Sequence, residues 1–167
     1  VRERAQEWKV DIHKVGIVGF SAGGHLASTA GTHFNRPVIE NNLKTSLRPD
    51  FMILIYPVIS FTDSLTHWGS RNNLIGKKPS AELIRLYSNE CQVTPQTPPT
   101  FLVHAGDDKT VKVFNSIDFY TALQKNGVEA ELLVYPHGGH GFGLYNKTTE
   151  DKWMERCRDW MKSNGWL

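Results

Sequence analysis

Three short stretches of this chain carry the residue types of nucleophilic catalysis. Gly19-Phe20-Ser21-Ala22-Gly23-Gly24 sets a serine between glycines. His104-Ala105-Gly106-Asp107-Asp108-Lys109-Thr110-Val111 offers two adjacent carboxylates, and Pro136-His137-Gly138-Gly139-His140-Gly141-Phe142 offers two imidazoles. A serine hydroxyl is a poor nucleophile near neutral pH and needs a base to take its proton. That base must in turn be oriented by a third group. Serine, imidazole and carboxylate together suit acyl transfer at a carbonyl carbon. Small residues on both sides of Ser21 permit a sharp strand-to-helix turn that lifts the hydroxyl to the edge of a sheet. At a helix N-terminus, unpaired N–H groups and the helix dipole favour negative charge, so the Ala22 N–H is a candidate oxyanion donor. The G-x-S-x-G pattern alone recurs by chance. Its flanks decide whether it does chemistry.

Those flanks alternate between short apolar runs and helical patterns. Val15–Phe20 is a continuous apolar run, as expected of a strand buried on both faces of a parallel sheet. Ala22–Phe34 reads as a helix. Phe51–Tyr56 is a second buried strand, Thr100–Ala105 a third and Ala130–Tyr135 a fourth. Helices are predicted over Ala81–Asn89, over Val113–Lys125 with Val113, Ile117, Tyr120 and Leu123 on one face, and over Glu150–Ser163 with a Trp153/Cys157/Trp160/Met161 stripe. Val1–Val10 reads as a charged helix end. Four strand–helix repeats imply a three-layer α/β/α sandwich around a parallel sheet. Ligands in such sheets sit beyond the carboxyl ends of the strands. Ser21, the Asp107/Asp108 pair and the His137/His140 pair each follow a strand, and their order leaves room between them for the intervening helix and strand.

Composition removes several other classes. Nineteen basic against 17 acidic residues leave a net charge of +2, which gives no footprint for nucleic acid. With 40% hydrophobic and 22% charged residues the chain is not disordered. No stretch approaches the ~20 apolar residues of a membrane span. Cys91 and Cys157 make neither a disulfide scaffold nor a four-ligand zinc site. His137 and His140 lack a Cys or carboxylate at supporting spacing, so no metal is expected. No G-x-G-x-x-G follows a strand, so no dinucleotide is expected either. His25 reads as a packing residue and His104 as a stabiliser of its own turn. His13, His33 and His67 belong to no constellation. The Asn146-Lys147-Thr148 sequon is at chance level.

GFSAGGHLA, PPTFLVHAGDDKTV and AELLVYPHGGHGFGL together resemble α/β-hydrolases of the acetyl-esterase and acetylxylan-esterase-like group. Dienelactone-hydrolase and prolyl-oligopeptidase catalytic domains are more distant kin. The resemblance runs over essentially the whole chain. It implies a serine ester hydrolase with no cofactor, acting on a small-molecule or oligosaccharide ester whose acyl groups are borne by sugars. On that pattern Ser21 is the nucleophile. Asp108, three residues before Val111, is the orienting acid in preference to Asp107. His140, within Gly139-His140-Gly141-Phe142, is the base in preference to His137. Lys112 and Phe114 stand where the group often has Pro and an acidic residue, which alters the surface of that loop but not the triad. The long polar stretch 59–79 is then a candidate substrate or lid loop, with Trp68 stacking on a sugar and Arg71 or Asn72 reaching polar groups. A surface loop anchored by Trp68 fits it equally well.

Further expectations concern extent. The resemblance implies the C-terminal part of the fold, about four strands, within a single domain spanning 1–167. Only 20 residues precede Ser21 and none supplies the H-G-G-G loop that normally gives a second oxyanion donor. Loss of one such donor costs on the order of 10²–10³ in rate. The first strand is expected to expose an edge open to partner pairing. An inactive binding fragment, a prolyl-oligopeptidase-like peptidase and a dienelactone-type hydrolase stand as alternatives, the last opposed by serine at position 21. The compartment is not encoded.

Overall fold

Among the described residues, apolar runs bounded by turn residues form four short strands: β1 (Ile17–Phe20), β2 (Met52–Ile55), β3 (Thr100–Ala105) and β4 (Ala130–Tyr135). The computed structural model describes residues 1–42 and 44–167. All pairings are parallel, in the order β1-β2-β3-β4. Gly19, Leu54, Leu102 and Leu132 lie in one row across the sheet. The carboxyl ends of all four strands therefore share one edge, where ligands bind in folds of this kind.

Among the described residues six α-helices accompany the sheet: α1 (Ala5–Trp8), α2 (Ala22–Thr32), α3 (Trp68–Ile75), α4 (Ala81–Leu86), α5 (Phe114–Lys125) and α6 (Trp153–Ser163). Successive strand residues point to opposite faces, and both faces are covered. On one, Ile55, Phe101 and Val103 pack with Trp153, Cys157 and Trp160 of α6. On the other, Met52, Leu54 and Leu102 meet Ala27 of α2 and Phe119 and Leu123 of α5. This is the three-layer arrangement expected from the strand–helix alternation.

Three expectations need correction. β1 is the expected edge strand, but it is not buried on both faces, since Val18 is 55% exposed. The polar stretch 59–79 is not simply a loop, because it contains α3. That helix has weak local signals (Gly69, Ser70, Asn72 and Asn73) and depends on a cap and an anchor. The cap is the His67 side chain, which accepts from Ser70 N. The anchor is Arg71, described below. Finally, α5 buries Asn115, Ser116, Phe119 and Leu123 rather than the face through Val113 and Ile117. Two polar residues sit inside because both are hydrogen-bonded. Asn115 Oδ1 accepts from Ile59 N and Ser60 N at 2.9 Å each, and Ser116 Oγ lies 2.8 Å from His104 Nδ1.

Candidate active site

Ser21 closes β1 and caps α2 in a strained conformation, φ 51° and ψ −121°. Such a conformation persists only where the surroundings over-determine it. Here Ser21 N donates to Ile55 O at 3.0 Å, and Ser21 O accepts from Gly24 N at 2.9 Å and Val58 N at 3.0 Å. The turn also needs missing side chains. A Cβ on Gly19 would lie 2.2 Å from Gly23 O, and one on Gly24 would lie 2.5 Å from Pro57 Cβ. The Ser21 side chain makes no cap of its own. It faces His140, with Oγ 2.8 Å from Nε2. Ala22 is the first residue of α2, so its N–H has no intrahelical acceptor.

Asp108 follows β3. Its Oδ1 accepts from Thr110 N and Val111 N at 2.9 Å each. Its Oδ2 lies 2.7 Å from His140 Nδ1 and 3.3 Å from His104 Nε2. Burial pushes its carboxyl up, but hydrogen bonds from His104, Val111, His140 and Thr110 outweigh that and hold it down at about 2. A charged carboxylate only accepts, so His140 Nδ1 carries the hydrogen and Nε2 turns a lone pair to the Ser21 hydroxyl. The same logic makes His104 a donor through Nε2, which also reaches Val111 O at 2.9 Å. The expected turn-stabilising role of His104 therefore extends to Asp108 itself.

His140 sits on a loop after β4. Tyr56, at the end of β2, packs its ring edge against the imidazole, with centroids 4.9 Å apart. The Tyr56 hydroxyl accepts from Gly143 N at 3.1 Å. In the sequence Tyr56 is only the last residue of the second apolar run, although a residue at the carboxyl end of a strand was a signal. His137 and Asp107 stay outside the hydrogen-bonded run, and the His137 side chain is 75% exposed.

Beside Ser21 lies an open groove of about 500 Å³, walled by α2, α3 and the residue after α4, with Ala22, His25, Leu26, Phe61, His67 and Tyr87 among its lining. His25, expected to pack against a strand, packs instead against residues outside the sheet. It stacks on Phe61 with centroids 4.3 Å apart and its Nε2 donates to Tyr87 O at 2.8 Å. Burial lowers its pKa. The expected substrate residues do not line this groove. Trp68 is half exposed and lines a separate depression with Asp63, Lys109 and Lys112. Arg71 is buried. It donates to Phe61 O at 3.1 Å and to the Asp63 carboxylate, and its guanidinium stands 4.9 Å from the Trp68 ring centroid. Its side chain ties α3 to the preceding segment and is not free to meet a substrate. Asn73, rather than Asn72, faces the groove. Among the described residues no three His, Cys, Asp or Glu side chains group as a metal site. No described helix is long and apolar enough to cross a membrane.

The BD-FAE family profile matches residues 1–123, which include both Ser21 and Asp108. The chain belongs to the BD-FAE family. A curated relative of this BD-FAE chain, the acetylxylan esterase of Xylanibacter ruminicola, is 38% identical over 98% of the chain and 33% of its own length. The endo-1,4-beta-xylanase B of Butyrivibrio fibrisolvens is 36% identical over 92% of the chain and 24% of its own length. The chain thus spans a third or less of these two proteins. Among solved structures, the acetyl ester-xyloside bifunctional hydrolase of Caldicellulosiruptor lactoaceticus superposes with a TM-score of 0.93 at 42% identity, covering all of this chain and 62% of that one. The fold of this BD-FAE chain is that of the α/β-hydrolases.

Proposed function

We propose that this chain carries the acyl-transfer site of a serine carboxylesterase that removes acetyl groups from sugars or xylan-derived oligosaccharides. The observation that carries the reading is the unbroken run from Asp108 through His140 to Ser21, joined at 2.7 and 2.8 Å. In the first step Ser21 Oγ attacks the ester carbonyl carbon while His140 Nε2 takes the hydroxyl proton. The carbonyl oxygen becomes an oxyanion facing the Ala22 N–H, and the Asp108 carboxylate steadies the imidazolium. His140 then gives its proton to the departing alcohol oxygen as the carbon–oxygen bond breaks. Water, deprotonated by His140, attacks the acyl-enzyme, and Ser21 leaves with the proton restored. The names of the Xylanibacter and Caldicellulosiruptor relatives support acetyl esters on xylose-based sugars as substrates.

The test is fluorophosphonate labelling of the chain, followed by mapping of the modified residue, alongside hydrolysis of p-nitrophenyl acetate and acetylated xylo-oligosaccharides. Modification at Ser21, abolished in Ser21→Ala, is the expected result. Modification at any other residue would sink the assignment. Cleavage of peptide amides without turnover of acetyl esters would move it to the peptidases.

A further inference from the structure

The loop that carries His140 is built largely from glycine. Gly138, Gly139, Gly141 and Gly143 adopt φ of 151°, 61°, 83° and 60°. Glycine reaches such angles without steric cost, but it also leaves the backbone many alternatives. The loop must therefore be fixed by bonds from outside. At its start, Asn146 Nδ2 and Thr148 Oγ1 donate to His137 O at 2.8 and 3.0 Å. At its end, Tyr56 holds Gly143 N, and Trp153 Nε1 donates to Gly143 O at 3.1 Å. Between these points, the amide directly before His140 is held by Asp107. Gly139 N donates to Asp107 Oδ1 at 2.8 Å, and Asp107 Oδ2 lies 3.3 Å from His137 Nδ1.

Asp107 thus ties the loop after β3 to the loop after β4 one residue before the point where Asp108 ties them through the imidazole. The two adjacent carboxylates, rivals for one role in the sequence, hold different atoms of the same loop. We propose that Asp107 is a positioning residue: its carboxylate clips the Gly139 amide and so keeps His140 Nε2 in line with Ser21 Oγ. The Gly139 bond also holds the Asp107 carboxyl below its ordinary pKa, so the clip is charged at neutral pH. The proposal rests on Ser21 being the nucleophile that His140 serves.

The full chain serves for the test. Asp107→Ala removes the acceptor, whereas Asp107→Asn keeps a side-chain oxygen for Gly139 N. Asp107 lies at the surface, so neither change disturbs the core. Phosphonylation of Ser21 is expected to slow by ~10- to 100-fold in Asp107→Ala, the scale of a base misplaced by about 1 Å. Asp107→Asn should stay within about threefold of the parent chain, because it retains the acceptor. His137→Ala should cost less than Asp107→Ala, since the His137 contact is longer and exposed. Exchange of the Gly139 amide, followed by NMR, should quicken in Asp107→Ala and not in Asp107→Asn. A parent-like labelling rate in Asp107→Ala overturns the proposal, as does an Asn variant as slow as the Ala variant. A parent chain that fails to label at Ser21 counts against the serine reading instead. In that case unchanged Gly139 exchange in Asp107→Ala would still overturn the clip.

Discussion

Replacing Asp108 by Asn changes one atom and should disable the site without unfolding it. The reason lies in which oxygen can become nitrogen. Oδ1 accepts two backbone N–H groups, from Thr110 and Val111. An Asn amide that turned its NH₂ toward them would set donor against donor, so its oxygen stays there and its NH₂ faces the imidazoles. His140 Nδ1, 2.7 Å away, must then accept rather than donate. The ring proton moves to Nε2, and Ser21 Oγ meets an N–H where it needs a lone pair. A base locked in the wrong tautomer costs on the order of 10⁴ in rate, about 5.5 kcal/mol in the barrier. The assay is the second-order rate of Ser21 phosphonylation, with Tm recorded on the same samples. The two backbone bonds survive, so the fold should remain. An Asp108→Asn chain that is folded and labels within tenfold of its parent would refute this account of the hydrogen-bond directions.

Other outcomes follow from the same geometry. The Asp108 carboxyl titrates at about 2 in the folded chain, below its ordinary value, so its stabilisation is complete above pH ~4 and is lost as pH falls toward 2. The loss amounts to roughly 2 kcal/mol. The stability gap between the parent chain and Asp108→Asn, measured by urea unfolding, should therefore narrow over that interval; a constant gap would be wrong. Gly24→Ala should lower stability by ~1–3 kcal/mol because its Cβ collides with Pro57. Gly23→Ala, with open space at its Cβ, should be neutral or stabilising by up to ~1 kcal/mol in thermal melts. Arg71→Met should leave the Phe61 carbonyl unpaired and loosen α3, at a cost of ~1–3 kcal/mol. In ester kinetics its effect should fall on KM more than kcat, since α3 walls the groove but touches none of the reacting groups.

What was legible in the sequence was what local chemistry dictates. The elbow leaves no room for side chains at Gly19 and Gly24, so it shows as a pattern. The strands show as apolar runs because both faces of the sheet are covered. The choice of Asp108 and His140 over their neighbours came from resemblance; the structure puts both within hydrogen-bonding distance in a run that ends at Ser21. Long-range polar contacts were not legible. Asn115 and Ser116 turn the buried face of α5 because their partners lie on Ile59, Ser60 and His104, far off in the chain. Helix α3 stands on the Arg71 anchor rather than on propensity, so its residues read as a loop. That anchor also removed Arg71 from the expected substrate contacts. The edge position of β1 was expected, but its apolar run still read as buried on both faces because such a run does not reveal that Val18 stays open to solvent.

The bond between Ser21 and His140 joins residues 119 apart in the chain. It exists only when three successive strand pairings are all in register, because Ser21 follows β1 and His140 rides on the loop after β4, which reaches back along the carboxyl edge of the sheet. A one-residue slip at any pairing would turn side chains to the opposite face and separate the hydroxyl from its base. Chemical reactivity at Ser21 is thus a gauge of completed folding, stricter than helix content or compactness. In a refolding time course, phosphonate capture should lag behind the far-ultraviolet signal, and the lag would time the docking of the final strand.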